Sequence, residues 1–274
     1  MSSPVFVLRR LLGWSAVSLT LCAHPVLAQT LTPRTPVVRA CDDTNEWPPY
    51  TYRRASSDGG FEVAGFSVDL LRQILARHRM TLTVELLPWK RCLEEVRHGK
   101  RFALLLNAAR TPQRESAYWF SPAYYDTHTH YIWSRRQYPA GLVLHSPEGL
   151  RTLRVGNVAG YVFPTLTAMG IEPSSQASSH SNLVQMLHRD RIDTVLVAEE
   201  VLRAHAASGQ TSLWDDPELG RAQLPGALPT RFHMLFTRQG PQGALLHRLV
   251  SEEMERMLRS GELQRMRALY TGAQ

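Results

Sequence analysis

Apolar and polar positions along the chain change period in a regular order. Residues 36–40 read as a strand, and residues 41–60, dense in Pro, Asp, Ser and Gly, read as a loop. Behind Gly65 and Phe66, the residues Val68, Leu70, Leu71, Ile74 and Leu75 recur at helical spacing, which predicts an amphipathic helix ending near His78. Leu82, Val84 and Leu86 then alternate as a strand that Pro88 stops, and Cys92, Leu93 and Val96 begin another helix. Residues 101–106 form an apolar run that fits a strand buried on both faces. Strand, helix, strand, helix, strand is the order of a parallel α/β sheet.

The pattern then starts again. Strands are expected at 131–134, 154–158, 192–197 and 233–237, with helices at 147–150, 163–169, 181–188, 199–206 and 245–270. A Pro/Gly-rich stretch at 217–229 interrupts the order before the last strand. Two α/β lobes account for such a restart better than one large sheet does.

The N-terminus adds a compartment. Arg9 and Arg10 precede an uncharged run from Leu11 to Ala23, and Val26 and Ala28 fit a signal-peptide cut before Gln29. That run is too short for a bilayer core of about 30 Å, and Leu21 before Cys22 does not suit a lipoprotein cut. The expectation is a cleaved leader at residues 1–28 and a periplasmic mature protein of 246 residues.

Net charge is +7 for the whole chain and +5 without the leader, which carries two arginines and no acid. The arginines are scattered, with no basic run of five, so nucleic acid is not an expected partner. Export leaves Cys41 and Cys92 in an oxidising compartment, where a disulfide is the default and a reactive thiol the alternative. One cysteine follows the first strand and the other the second, so parallel pairing brings both to the sheet edge where ligands bind.

Several motifs follow one another in order: Trp47-Pro48-Pro49-Tyr50, Gly65-Phe66-Ser67-Val68-Asp69-Leu70-Leu71, Pro88-Trp89-Lys90-Arg91-Cys92-Leu93 and Thr111-Pro112-Gln113-Arg114. Phe120-Ser121-Pro122, Arg154-Val155-Gly156 with Gly160, and Arg191-Ile192-Asp193 come after them. Their order and spacing resemble those of the bacterial extracellular solute-binding proteins of family 3. The resemblance implies a two-lobed periplasmic-binding-protein-like fold (type II). Each lobe is a mostly parallel sheet flanked by helices, and two strands make the hinge. It places lobe 1 at residues 36–125 plus 233–274 and lobe 2 at 126–232. A ligand is enclosed when such lobes close.

The same resemblance points to binding residues. Arg114 matches the arginine that holds a ligand carboxylate, a task suited to a planar guanidinium that stays charged; the alternative is a surface arginine paired with Glu115. Trp47, Tyr50 and Trp89 match aromatic walls, each with core packing as its alternative. Asn107, Ala109 and Arg110 occupy a stretch that faces the carboxylate in relatives, and Arg110 offers a second cation. Gly160 and Tyr161, followed by Val162, stand where a helix start would present free backbone N–H groups. At Ala198 the family pattern leads one to expect an acid that receives the ligand's ammonium group; Glu199 is adjacent, but one residue turns a helix by about 100°. Phe102 also replaces a familiar acid. His128 and His130 form an H-x-H pair of the kind that suits zinc or copper, with no third ligand at recognisable spacing.

These features lead to a binding protein for a small polar, carboxylate-bearing solute, acting as a monomer with a membrane permease of the ABC type and needing no cofactor or metal. Two alternatives stand beside it. One is a ligand sensor for a membrane receptor. The other is a cleft enzyme using Asp42, Asp43, Glu46 or Glu199, although no Gly-x-Ser-x-Gly, His-Glu-x-x-His or phosphate loop occurs.

Overall fold

The computed structural model describes residues 35–57, 59–207 and 214–271; the expected leader at 1–28 lies outside them. The chain begins with strand β1 (Val37–Asp43), a hairpin of β2 (Tyr52–Ala55) and β3 (Phe61–Ala64), helix α1 (Phe66–Arg77), β4 (Thr81–Leu87) and α2 (Trp89–His98). Next come β5 (Leu104–Ala109), the short α3 (Pro112–Ala117), β6 (Tyr118–Phe120) and β7 (Tyr125–Thr127). The second half supplies β8 (Thr129–Ser134), a 3-10 turn at Pro147–Thr152, β9 (Val155–Val158), α4 (Pro164–Ala168), β10 (Ser175–Ala177) and α5 (His180–His188). It closes with β11 (Thr194–Ala198), α6 (Glu199–Ala207), β12 (Leu219–Gln223), β13 (Thr230–Thr237), α7 (Gly240–Arg259) and α8 (Glu262–Thr271).

Two sheets organise these elements. The first has the order β4-β1-β5-β13-β6, with β7 also on β13, and the second has the order β10-β9-β11-β8-β12. Both are mixed rather than mostly parallel. β1 runs parallel to β4 and β5, while β13 opposes β5, β6 and β7. β9 runs parallel to β10 and β11, while β8 opposes β11 and β12. The antiparallel members include β8 and β13, the strands by which the chain leaves one sheet and returns from the other, so each enters against its neighbours.

The first sheet is buried on both faces. Along β5, Leu104 and Leu106 join a core with Leu70, Leu71, Ile74 and Leu75 of α1 and Val250, Met254 and Met257 of α7. Leu105 and Ala108 point the other way, toward Trp89, Cys92 and Val96 of α2. This alternation is the two-sided burial that the apolar run foretold, in a strand that starts at Leu104 rather than 101. At roughly 1.5–3 kcal/mol per fully buried large aliphatic side chain, the α1 stripe alone anchors its helix firmly.

Gly65 ties the first loop to α1. Its φ is +120°, and a Cβ there would stand 2.4 Å from the Tyr50 carbonyl oxygen. The helix's first free N–H groups then meet that same loop: Phe66 N–H donates to Pro49 O at 3.0 Å and Ser67 N–H to Tyr50 O at 3.0 Å. The Trp47-Pro48-Pro49-Tyr50 turn is therefore fixed by the helix start that follows it.

Cys41 and Cys92 are joined, with Cα atoms 5.8 Å apart, linking β1 to α2. Replacing both by serine is expected to lower unfolding free energy by about 2–4 kcal/mol, since a loop of about fifty residues is released in the unfolded chain. Urea midpoints of the two forms check this.

Candidate functional site

The carboxyl ends of β1, β4 and β5 open onto one edge of the first sheet, and the ends of β9 and β11 face them from the second. Between them lies a cleft with about 510 Å³ of unfilled space, part of it open to solvent, within the rough range of about 300–1,000 Å³ for small-molecule sites. Asp42, Asp43, Trp47, Trp89, Asn107 and Arg114 line it from the first lobe, and Tyr161, Val162, Phe163 and Ala198 from the second.

Arg114 reaches the cleft through a short capped helix. The Thr111 side chain accepts a hydrogen bond from Arg114 N–H at 3.2 Å, and Pro112 fills the first helical position. The guanidinium turns back to donate to Ala109 O at 2.8 Å and across the cleft to Gly160 O at 3.0 Å. It is 8% exposed, and among the described residues no carboxylate pairs with it. Burial lowers its pKa to about 10, which leaves it cationic at neutral pH. An unpaired buried charge is costly, so the cleft favours an anion beside Arg114.

Asn107 occupies the centre of a buried polar network at the end of β5. Its backbone sits at φ +42°, uncommon for a residue with a side chain. The amide nitrogen donates to Asp42 and to Thr51 Oγ1 at 2.7 Å. The amide oxygen accepts from the hydroxyls of Ser67 at 2.6 Å, Tyr124 at 2.9 Å and Tyr125 at 2.8 Å. Tyr125 in turn accepts from the Trp47 indole at 3.1 Å. Asp42, wholly buried, has its pKa raised to about 7, chiefly by loss of hydration.

Asp43 is one residue further along. Its carboxylate accepts from Asn45 N–H at 3.0 Å, from the Asn45 amide at 3.3 Å and from the Tyr161 hydroxyl at 2.8 Å. Burial raises its pKa as well. The Tyr161 bond crosses between lobes, as do Trp89 Nε1 to Gly160 O at 3.0 Å and the Asn45 amide to Ser178 O at 3.0 Å. Tyr161 meets the Trp47 ring edge-on at 5.5 Å.

Of the residues singled out from sequence, Trp47, Trp89, Asn107, Ala109, Arg114 and Tyr161 come together in this lining. Four of the expected binding residues stand outside it. Tyr50 is 1% exposed in the core, stacked on Tyr125 at 3.7 Å, because its ring gains more from aromatic packing than from the cleft edge. Arg110 points away to pair with Glu115 at 2.8 Å and cover the Phe120 ring. Glu199, turned off the cleft by the start of α6, pairs with Arg203 and lies 3.4 Å from His130. Gly160 offers its carbonyl rather than a helix N–H, because α4 begins only at Pro164 and is five residues long. At φ +85°, a Cβ on Gly160 would come within 3.0 Å of the Trp89 ring. His128 and His130 face separate acids, Glu200 and Glu199.

Phe163, Thr127, Thr230 and Phe232 also line the cleft, and no sequence motif marked them. Thr127, Thr230 and Phe232 lie in the paired crossing strands β7 and β13, so their position depends on a ladder between distant segments.

The model of the bacterial extracellular solute-binding proteins, family 3, matches residues 40–273. No curated protein sequence matches the chain. Among solved structures, the amino acid ABC transporter substrate-binding protein AbpA from Streptococcus pneumoniae, bound to L-arginine, aligns with TM-score 0.65 at 20% identity over 87% of this chain and 95% of its own. The arginine-, lysine-, histidine-binding protein ArtJ from Geobacillus stearothermophilus aligns with TM-score 0.66 at 16% identity, covering 87% and 96%. A histidine kinase sensor domain similar to periplasmic binding proteins aligns with TM-score 0.67 at 19% identity, covering 87% and 96%.

The raised pKa of Asp42 gives a signed expectation. Between about pH 4, where an unfolded aspartate ionises, and about pH 7, the unfolded chain holds fewer protons than the folded one, so stability falls as pH rises. Asp42→Asn is expected to remove a decline on the order of 3 kcal/mol over that window, read from urea unfolding at several pH values.

Proposed function

The chain belongs to the bacterial extracellular solute-binding proteins, family 3, and from that premise we propose that it captures a small polar, carboxylate-bearing solute between its lobes for a membrane permease of the ABC type. Arg114 carries the reading. It is a buried guanidinium, cationic at neutral pH, facing the cleft without an acidic partner among the described residues. It keeps N–H groups beyond those given to Ala109 and Gly160, and a carboxylate can take two of them in parallel.

The aromatic walls agree with this role. Trp47, Trp89, Tyr161, Phe163 and Phe232 exclude water from a ligand and strengthen each polar contact inside. In this reading lobe 1 is residues 36–125 plus 233–274, lobe 2 is 126–232, and the protein works in the periplasm as a monomer without catalysis. The amino acid transport proteins of like fold support an amino-acid type of solute.

One observation favours a second role, ligand sensing for a membrane receptor: the likeness to a histidine kinase sensor domain. Capture by the cleft is common to both.

A thermal-shift series of amino acids, di- and tricarboxylates, amines and sugars tests the proposal, since a ligand of the native state raises apparent stability. Carboxylate-bearing solutes are expected to shift the wild type, and Arg114→Ala is expected to weaken them by at least about 30-fold, the usual scale for truncating one partner of a buried charge pair. A shift indifferent to Arg114→Ala, or no shift with any carboxylate, overturns it.

A further inference from the structure

We propose that the body of the solute beyond its carboxylate is hydrocarbon, branched or aromatic, and that the protein takes such apolar carboxylates in preference to polar ones of the same shape. This rests on Arg114 as the carboxylate's partner and deepens that reading by naming what the rest of the cleft accepts.

Most polar groups of the lining are already bonded within the protein. Asn107 gives both ends of its amide to Asp42, Thr51 and the hydroxyls of Ser67, Tyr124 and Tyr125. Asp42 is wholly buried against that amide. Asp43 accepts twice from Asn45 and once from the Tyr161 hydroxyl, which fills three of about four acceptor positions on a carboxylate. The same bond uses the Tyr161 proton, so this pair serves to join lobe to lobe. The indole N–H of Trp47 goes to Tyr125 and that of Trp89 to Gly160 O. Beside Arg114, what remains are the hydroxyls of Thr127 and Thr230 on the crossing strands.

Hydrocarbon makes the rest of the wall. Trp47, Trp89 and Phe232 contribute rings, and Val162, Phe163 and Ala198 add the apolar part of the second lobe. Position 198 offers only a methyl group, and its neighbour Glu199 is turned away onto Arg203. Val162 and Phe163 are half-buried, so apolar surface is left on the second-lobe wall for a solute to cover.

A polar or charged tail entering this space gives up its water and meets few unused donors or acceptors, which is costly. A hydrocarbon tail gains by leaving water and covers apolar wall as it enters. Arg114 thus selects the head group and the walls select the tail, in the usual division between a few polar groups that orient a ligand and apolar surface that holds it.

Calorimetric titration of the purified protein with twins of one shape tests this: leucine against asparagine, 4-methylpentanoate against succinamate, and 3-phenylpropionate against 3-(4-pyridyl)propionate. At least one hydrocarbon member is expected to bind at least about tenfold more tightly than its polar twin. Phe163→Ala, which removes apolar wall, and Ala198→Asn, which puts an amide into it, are each expected to reduce that preference by at least about threefold. A preference under about tenfold in every pair, a polar twin that binds the tighter, or a preference that both substitutions leave intact overturns the apolar tail and leaves the Arg114 reading standing. No binding by any of these carboxylates, or Arg114→Ala without effect, overturns that reading and this inference with it.

Discussion

The side-chain amide of Asn107 is the junction on which the cleft depends. Its two ends bond to Asp42 of β1, Thr51 after the Trp47 turn, Ser67 of α1, and Tyr124 and Tyr125 just before the crossing to the second lobe. These segments are far apart in sequence, and each contributes a wall or a support. A buried amide has few ways to satisfy all its donors and acceptors, so the network admits few arrangements. The left-handed backbone at Asn107 persists because these partners over-determine it.

From that junction, geometry passes outward by contact. Tyr125 receives the Trp47 indole and stacks between Tyr50 and Phe232, so one phenol sets an aromatic wall and packs against the returning strand. Beyond β5, the Thr111 cap turns Arg114 back onto Ala109. Across the cleft, Gly160 brings its carbonyl to both Arg114 and Trp89, and its missing side chain permits that approach. Polar groups thus hold the lobes together around a space whose walls are largely aromatic.

Elements with their own period were legible. Helix α1 appears within a residue of its expected span, because five apolar side chains repeat at helical spacing and Gly65 precedes them. β2 lies inside the 41–60 stretch that reads as loop and β3 just beyond it, since these strands are four residues each and mostly exposed, with no apolar alternation to betray them. β12 lies in a segment rich in Pro and Gly and gains its identity only by pairing with β8. The strand order, and with it the mixed direction of both sheets, follows from two crossings that no local pattern records.

The sequence by itself determined the α/β class, the restart into two lobes and the family likeness, and it singled out Arg114 and Trp89, which the structure places in the cleft lining, because those rest on periodicity and on motifs of adjacent residues. It also named Cys41 and Cys92, which the structure joins. Only tertiary structure decided which charges face one another. Arg110 and Glu199 carry charges as suitable as any in the cleft, yet each finds a partner elsewhere on its own lobe. Asp43 and Arg114 form no ion pair among the described residues, because strand ends and a capped turn bury both at the cleft. Desolvation without pairing is a property of three-dimensional surroundings, and residue order alone does not contain it.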